Sequence, residues 1–162
     1  MIESENIEME ISFRKATIDD LKDICTLNNK LFKLEKENYD ETLVDNWPLT
    51  TPGKDYFKEM ILINYVQVAV INEKIIGYLA GSINEKTSYE NVQYGEINNM
   101  YIDEKYQGQK IGSTLIDNFK KYLKNNNISS IKVIASYKNL NAIKFYKRNG
   151  LEEFNVELTQ NF

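Results

Sequence analysis

The sequence predicts an α/β protein built on one mixed sheet with helices on both faces. Short runs that alternate apolar and polar residues read as strands, and runs with apolar residues at helical spacing read as helices. The two kinds interleave in the order β α α β β β α β α β, with no repeat, linker or low-complexity stretch. At 162 residues the chain has the size of a single domain, 1–162, and is long enough to bury a core.

The elements follow in order. Ile11 to Ala16 alternates and reads as a strand. Thr17-Ile18-Asp19-Asp20 resembles a capping box, and Ile18, Leu21, Ile24, Cys25, Leu27 and Leu31 then mark one helix face. Cys25 is expected on or beside the buried side as a small core residue. Residues 35–53, with Trp47, Pro48, Pro52 and Gly53, read as irregular before a short helix carrying Tyr56, Phe57, Met60 and Ile61. Val66 to Ile71 and Lys74 to Ser82 form a hairpin across Asn72-Glu73. A strand from about Gln93 to Ile102 comes next. Ile111, Leu115, Ile116, Phe119, Tyr122 and Leu123 then mark a helix ending at Asn125-Asn126-Asn127. Ile131 to Ser136 is a β-branched strand, Leu140 to Arg148 a helix stopped by Asn149-Gly150, and Leu151 to Leu158 a last strand.

Composition removes several chemistries. There is no histidine and one cysteine, so a histidine triad, a histidine-liganded zinc site, a cysteine cluster and an internal disulfide all lack their residues, and no metal is expected. Met1 to Asn6 is acidic without an apolar signal segment, and no apolar run approaches the ~18 residues of a membrane span. A cytoplasmic protein without a membrane partner is the expectation.

Net charge of −4 hides an asymmetry: residues 1–60 sum to −6 and residues 103–150 to +7. The overall acidity and the lack of an arginine-rich run argue against nucleic acid as the partner. A compact polyanion such as a nucleotide cofactor needs only a local patch.

Within the basic segment, Met100-Tyr101-Ile102 closes a strand, and Tyr106-Gln107-Gly108-Gln109-Lys110-Ile111-Gly112-Ser113 turns into a helix. A helix N-terminus offers unpaired N–H groups and a positive dipole end, and small residues let backbone approach an anion. Neither the dinucleotide-binding nor the P-loop spacing is present.

This run resembles the acyl-CoA pyrophosphate loop of the GNAT superfamily of N-acetyltransferases, Gln/Arg-x-x-Gly-x-Gly/Ala. Gln107 and Gly112 fit its ends, and Lys110 replaces the usual middle glycine. Asn139 to Leu151 is similar to the family's second signature, Asn-x-x-Ala-x-x-x-Tyr followed by x-x-x-Gly-Phe, with Leu151 for Phe. The element order is also that family's. The likeness spans about residues 11–158 and implies a single-domain, mostly antiparallel central sheet flanked by about four helices.

It further implies acetyl transfer from acetyl-CoA to a primary amine by direct attack in a ternary complex. Backbone of Met100, Tyr101 and Ile102 would meet the pantetheine arm and thioester. Amides of Gln107, Gly108, Gln109, Lys110, Ile111, Gly112 and Ser113 would hold the pyrophosphate, and Asn139 would hydrogen-bond the cofactor. Tyr146 aligns with the family's general acid. Glu96 stands where several members place a glutamate that deprotonates the amine through water, and Asn98, two residues on, is expected on the same face. The acceptor usually enters over residues 30–60, whose Glu35, Glu37, Asp40, Glu41, Asp45 and Asp55 suit a cationic amine and equally suit a solvated loop. Members that act on ribosomal-protein N-termini commonly carry an acid near the position of Ile134, which argues against that substrate. Some members form homodimers, and no residue here specifies an interface. The alternative is a non-catalytic acyl-CoA-binding or regulatory module of the same fold.

Overall fold

A computed structural model describes residues 10–162. The acidic residues 1–9, and with them the reading of a leaderless start, lie outside the described residues. Five strands form one sheet in sequential order: β1 (Ser12–Lys15), β2 (Tyr65–Ile71), β3 (Lys74–Ile83), β4 (Tyr94–Ile102) and β5 (Ser130–Val133). β1 to β4 pair antiparallel, and β4 pairs β5 in parallel. The helices are α1 (Leu21–Asn38), α2 (Thr51–Ile63), α3 (Ile111–Asn125) and α4 (Leu140–Arg148).

Two cores sandwich the sheet. On one face α1 and α2 bury Ile24, Leu27, Phe57 and Met60 against Val66, Val68, Tyr78 and Tyr101. On the other, α3 buries Leu115, Ile116, Phe119 and Leu123 against Ala69, Ile76, Leu79 and Ile97, with Phe145 and Tyr146 of α4 partly covered there. Cys25 lies in the first core, 1% exposed, as expected from its helical spacing. The β2–β3 turn is the anticipated tight hairpin: Asn72 and Glu73 both adopt positive φ, +47° and +63°, which matches the twist of the strands they join.

Three boundaries differ from the sequence reading. α1 runs on to Asn38, into the 35–53 stretch read as irregular, because polar residues there still present a solvent face to a continuous helix. Pro52 and Gly53 lie inside α2 rather than in a loop. Pro52 takes a first-turn position where its missing N–H costs nothing, and Gly53 admits the Trp47 carbonyl, which a Cβ would meet at 2.2 Å. The strand expected at Leu151 to Leu158 is absent. Phe154, Val156 and Leu158 alternate but are 84–89% exposed, since alternation alone gives a strand nothing to pair with. The same reading otherwise holds: one α/β unit, a mixed and mostly antiparallel sheet, and four helices.

Candidate active site

β4 builds the site because its partners change along its length. From Gly95 to Ile97 it is paired on both sides, to β3 and to β5. Beyond Ile97 only β3 remains, so the other edge of residues 98–102 faces an opening. The change coincides with a bulge: Ala80 pairs with Asn99 and Gly81 with Ile97, leaving Asn98 as the extra residue. Side-chain phase inverts there. Ile97 points to the α3 core and Tyr101, four residues on, to the α1 core, whereas simple alternation would put both on one face.

Met100 and Ile102 accordingly line the α3 side, partly buried, and Tyr101 is buried under α1. Asn99 donates from Nδ2 to the Tyr56 hydroxyl at 3.4 Å, and Asn98 Oδ1 accepts from Ser82 Oγ at 2.9 Å. Glu96 lies before the bulge. Its Oε2 accepts from Asn84 Nδ2 at 2.8 Å and stands 3.6 Å from Lys132 Nζ, so its carboxylate is paired.

After Ile102 the chain is fastened at both ends of its turn. Asp103, almost buried, forms a 2.7 Å ion pair with Lys30 of α1 and accepts from the Lys105 amide at 3.2 Å. The Lys30 ammonium holds the Asp103 carboxyl below its usual range. Gln107 reaches back with Nε2 to the Ile102 carbonyl at 3.0 Å. Gly108 takes φ +79°, and Lys110 caps α3 at φ +62°, ψ +12°, its carbonyl accepting from the Thr114 amide at 3.0 Å. The usual glycine at position 110 thus has a physical reason: the backbone is left-handed there, and lysine bears the cost.

Amides of Gly108, Gln109, Lys110, Ile111, Gly112 and Ser113 have no acceptor among the described residues, and they cluster at the positive end of α3. This is an anion cradle. A Cβ on Gly112 would meet Phe145 Cζ at 2.9 Å and Met100 Cε at 3.8 Å, so the loop, β4 and α4 converge at that glycine. Lys120 Nζ also donates to the Asn149 carbonyl at 2.7 Å and ties α3 to the end of α4.

On α4, Asn139 is the N-cap, its Oδ1 accepting from the Ala142 amide at 3.0 Å. The Tyr146 ring packs edge-on to Phe145 at 5.3 Å. Burial and the negative charge of Glu35 push its phenol up to about 12, so it stays protonated through the neutral range. The fold therefore gathers Met100, the 107–113 loop and Phe145-Tyr146 around one cleft. The Glu96 carboxylate is held by Asn84 and Lys132. Glu35, read from the sequence as one acid among six, is the carboxylate whose charge Tyr146 feels.

An open strand edge beside a helix start with unpaired amides, on a β1–β5 sheet flanked by four helices among the described residues, is the arrangement that the resemblance to N-acetyltransferases anticipated. The sequence model of the Acetyltransferase (GNAT) family matches residues 23–151, and the chain belongs to that family. It is 28% identical over 154 residues to the uncharacterized N-acetyltransferase MJ1207 of Methanocaldococcus jannaschii, across 93% of this chain and 65% of that protein. The chain thus spans about two thirds of that relative's length. A mutant of the BH1408 protein from Bacillus halodurans superposes with TM-score 0.84 at 18% identity, covering 93% of this chain and 99% of the other. The aminoglycoside N-acetyltransferase AAC(6')-Iy, solved in complex with CoA, gives 0.73 at 13% identity, with 95% of each chain covered. At those identities the two likenesses establish the fold.

No helix among the described residues is long and apolar enough to cross a membrane, and none of these residues forms a histidine, cysteine and carboxylate group fit for a metal.

Proposed function

We propose that the chain transfers an acetyl group from acetyl-CoA to a primary amine by direct attack in a ternary complex. The observation that carries this reading is the run of six amides, Gly108 to Ser113, left without acceptors at the start of α3 beside the open edge of β4. Pyrophosphate would take the amides from Gly108 to Ser113, since the Gln107 amide already donates to the Glu104 carbonyl at 3.4 Å; the pantetheine arm would run along Met100, Tyr101 and Ile102, and the free Nδ2 of Asn139 would hydrogen-bond the cofactor. The basic 103–150 segment supplies the surrounding field.

The reaction needs a neutral amine, and at pH 7 an ordinary primary amine is only about one part in a thousand neutral. Glu96 is the proposed base, acting through water. The amine nitrogen attacks the thioester carbon, the C–N bond forms and the C–S bond breaks. Tyr146 gives its proton to the departing thiolate, and the nitrogen's excess proton leaves to solvent as the phenol is restored. A backbone N–H near Ile102 aimed at the developing oxyanion is worth about 3 kcal/mol.

Thiol release from acetyl-CoA with a panel of amines tests the activity. A non-catalytic acyl-CoA-binding module would be stabilised by acetyl-CoA in a thermal melt and release no thiol with any amine. Tyr146→Phe is expected to lower kcat by about 100-fold or more with acetyl-CoA binding unchanged. Undiminished turnover in that variant would remove Tyr146 from the mechanism.

A further inference from the structure

The six acids of residues 35–55 are not equivalent. Glu37, Asp40, Glu41, Asp45 and Asp55 are exposed, and Glu35 is half-buried. Helix geometry explains the difference. Ile24, Asn28, Leu31 and Glu35 recur at intervals of four, three and four, so they form one stripe of α1 facing the sheet. Ile24 and Leu31 enter the first core, which leaves Asn28 and Glu35 as polar members of an otherwise apolar stripe.

The Glu35 carboxylate has no hydrogen bond or ion pair among the described residues, and burial together with Asp40 raises its carboxyl above the usual range. Its charge is felt by Tyr146 of α4 and by Tyr78 of β3. Buried side-chain oxygens on α1 and β4 also lack donors. Asn28, 1% exposed, gives its Nδ2 to the Tyr78 hydroxyl at 2.7 Å, and its Oδ1 has no partner. Asn99 Oδ1, beside Tyr56 at the bulge, is likewise buried without a partner.

An unpaired half-buried carboxylate lacks a cationic donor. An ammonium group supplies three N–H bonds and the missing charge. One turn before Glu35, Phe32 stacks on Trp47 at 5.6 Å, and Trp47 leans on Tyr56 at 5.8 Å. Phe32, Leu43, Val44 and Trp47 help line a cavity of about 260 Å³.

On the basis of the acetyltransferase reading, we infer that Glu35 binds the ammonium of the acceptor, and that the acceptor is a primary amine whose apolar or aromatic substituent occupies the Phe32–Trp47 cavity. Glu35 is a binding residue in this account; Glu96 and water keep the deprotonation.

Calorimetric titration of 2-phenylethylamine, hexylamine and ethanolamine into the protein tests the inference without requiring turnover. The two apolar amines should bind more tightly than ethanolamine, and E35Q should weaken them about tenfold or more, as expected for loss of a charged hydrogen-bond acceptor. In turnover, E35Q should raise KM for these amines with kcat within threefold, and acetyl-CoA should protect the variant in a thermal melt as it does the parent. E35Q should itself melt at or above the parent at pH 7, since it removes an unpaired buried charge. Equal amine affinity in both proteins, absence of amine binding, or an ethanolamine preference would overturn the inference. Amine binding that depends on Glu35 with no thiol release would instead retire the acetyltransferase reading and leave the Glu35 site standing.

Discussion

Lys110→Gly should stabilise the fold and weaken the cofactor at once. The residue holds φ +62°, ψ +12°, where a side chain costs roughly 1–2 kcal/mol relative to ordinary helical backbone. Glycine escapes that cost but gives up roughly 0.5–1 kcal/mol through its greater freedom in the unfolded chain. The side chain is exposed, so little packing is lost, and the carbonyl that accepts from Thr114 is kept. The balance favours glycine by up to about 1 kcal/mol, a rise in Tm of roughly 2–4 °C for a domain of this size. Lys110→Ala is the control, because alanine keeps the left-handed cost; its Tm should stay near that of the parent. A fall in Tm for K110G, or an equal rise for K110A, would refute the strain argument. For CoA the sign reverses. Removing one exposed positive charge beside the 108–113 amides should cost about 0.5–1 kcal/mol, two- to fivefold in Kd. That loss should shrink as salt is raised. Calorimetric titration of CoA at low and high salt, set beside the melts, separates the two effects.

How far the sequence could be read depends on whether each feature is local. The Asn72-Glu73 hairpin was visible because a two-residue break opening on Asn, a residue that tolerates positive φ, separated two alternating runs, and the backbone adopts that geometry. The loop and the Asn139 cap were visible for the same reason, since both are short contiguous patterns. The β4 bulge was not. Alternation through Ile97, Asn99 and Tyr101 predicts one face, and only the pairing with Ala80 and Gly81 reveals that Asn98 is an extra residue. Asn98-Asn99, two adjacent polar residues in an otherwise apolar strand, is the one trace it leaves in the sequence. Glu35 was obscured by a boundary. The sequence reading begins an irregular segment at residue 35, and an acid there looks like loop charge. Continuing the stripe from Ile24 by one more turn would have placed it on the core side. The 151–158 segment errs the other way: its alternation is real, but a strand also needs a partner edge, which no local pattern encodes.

Two further substitutions probe the packing and the electrostatics that hold the site. Gly81→Ala would set a Cβ 2.5 Å from Phe119 Cζ, and Phe119 is fully buried with Tyr65 against it at 4.9 Å. The ring has nowhere to go, so a loss of about 1–3 kcal/mol is expected in urea unfolding, and a neutral result would contradict the clash. Asp20→Asn bears on the start of α1. Both carboxylate oxygens of Asp20 accept from Arg14, at 2.7 and 2.8 Å, and Oδ2 also accepts from the Thr17 amide at 2.8 Å. The Arg14 hydrogen bonds hold the Asp20 carboxyl below its usual range. A lowered carboxyl contributes stability that is full above the unfolded-state value of about 3.9 and is lost as pH falls through the folded-state value. D20N should therefore cost about 1 kcal/mol at pH 7, discounted because the Arg14 side chain is 46% exposed. The gap to the parent should close as pH falls from about 4 through that lower value. A gap that persists unchanged to pH 2 would mean that the Arg14 pairing contributes nothing and that the substitution acts through the Thr17 turn alone.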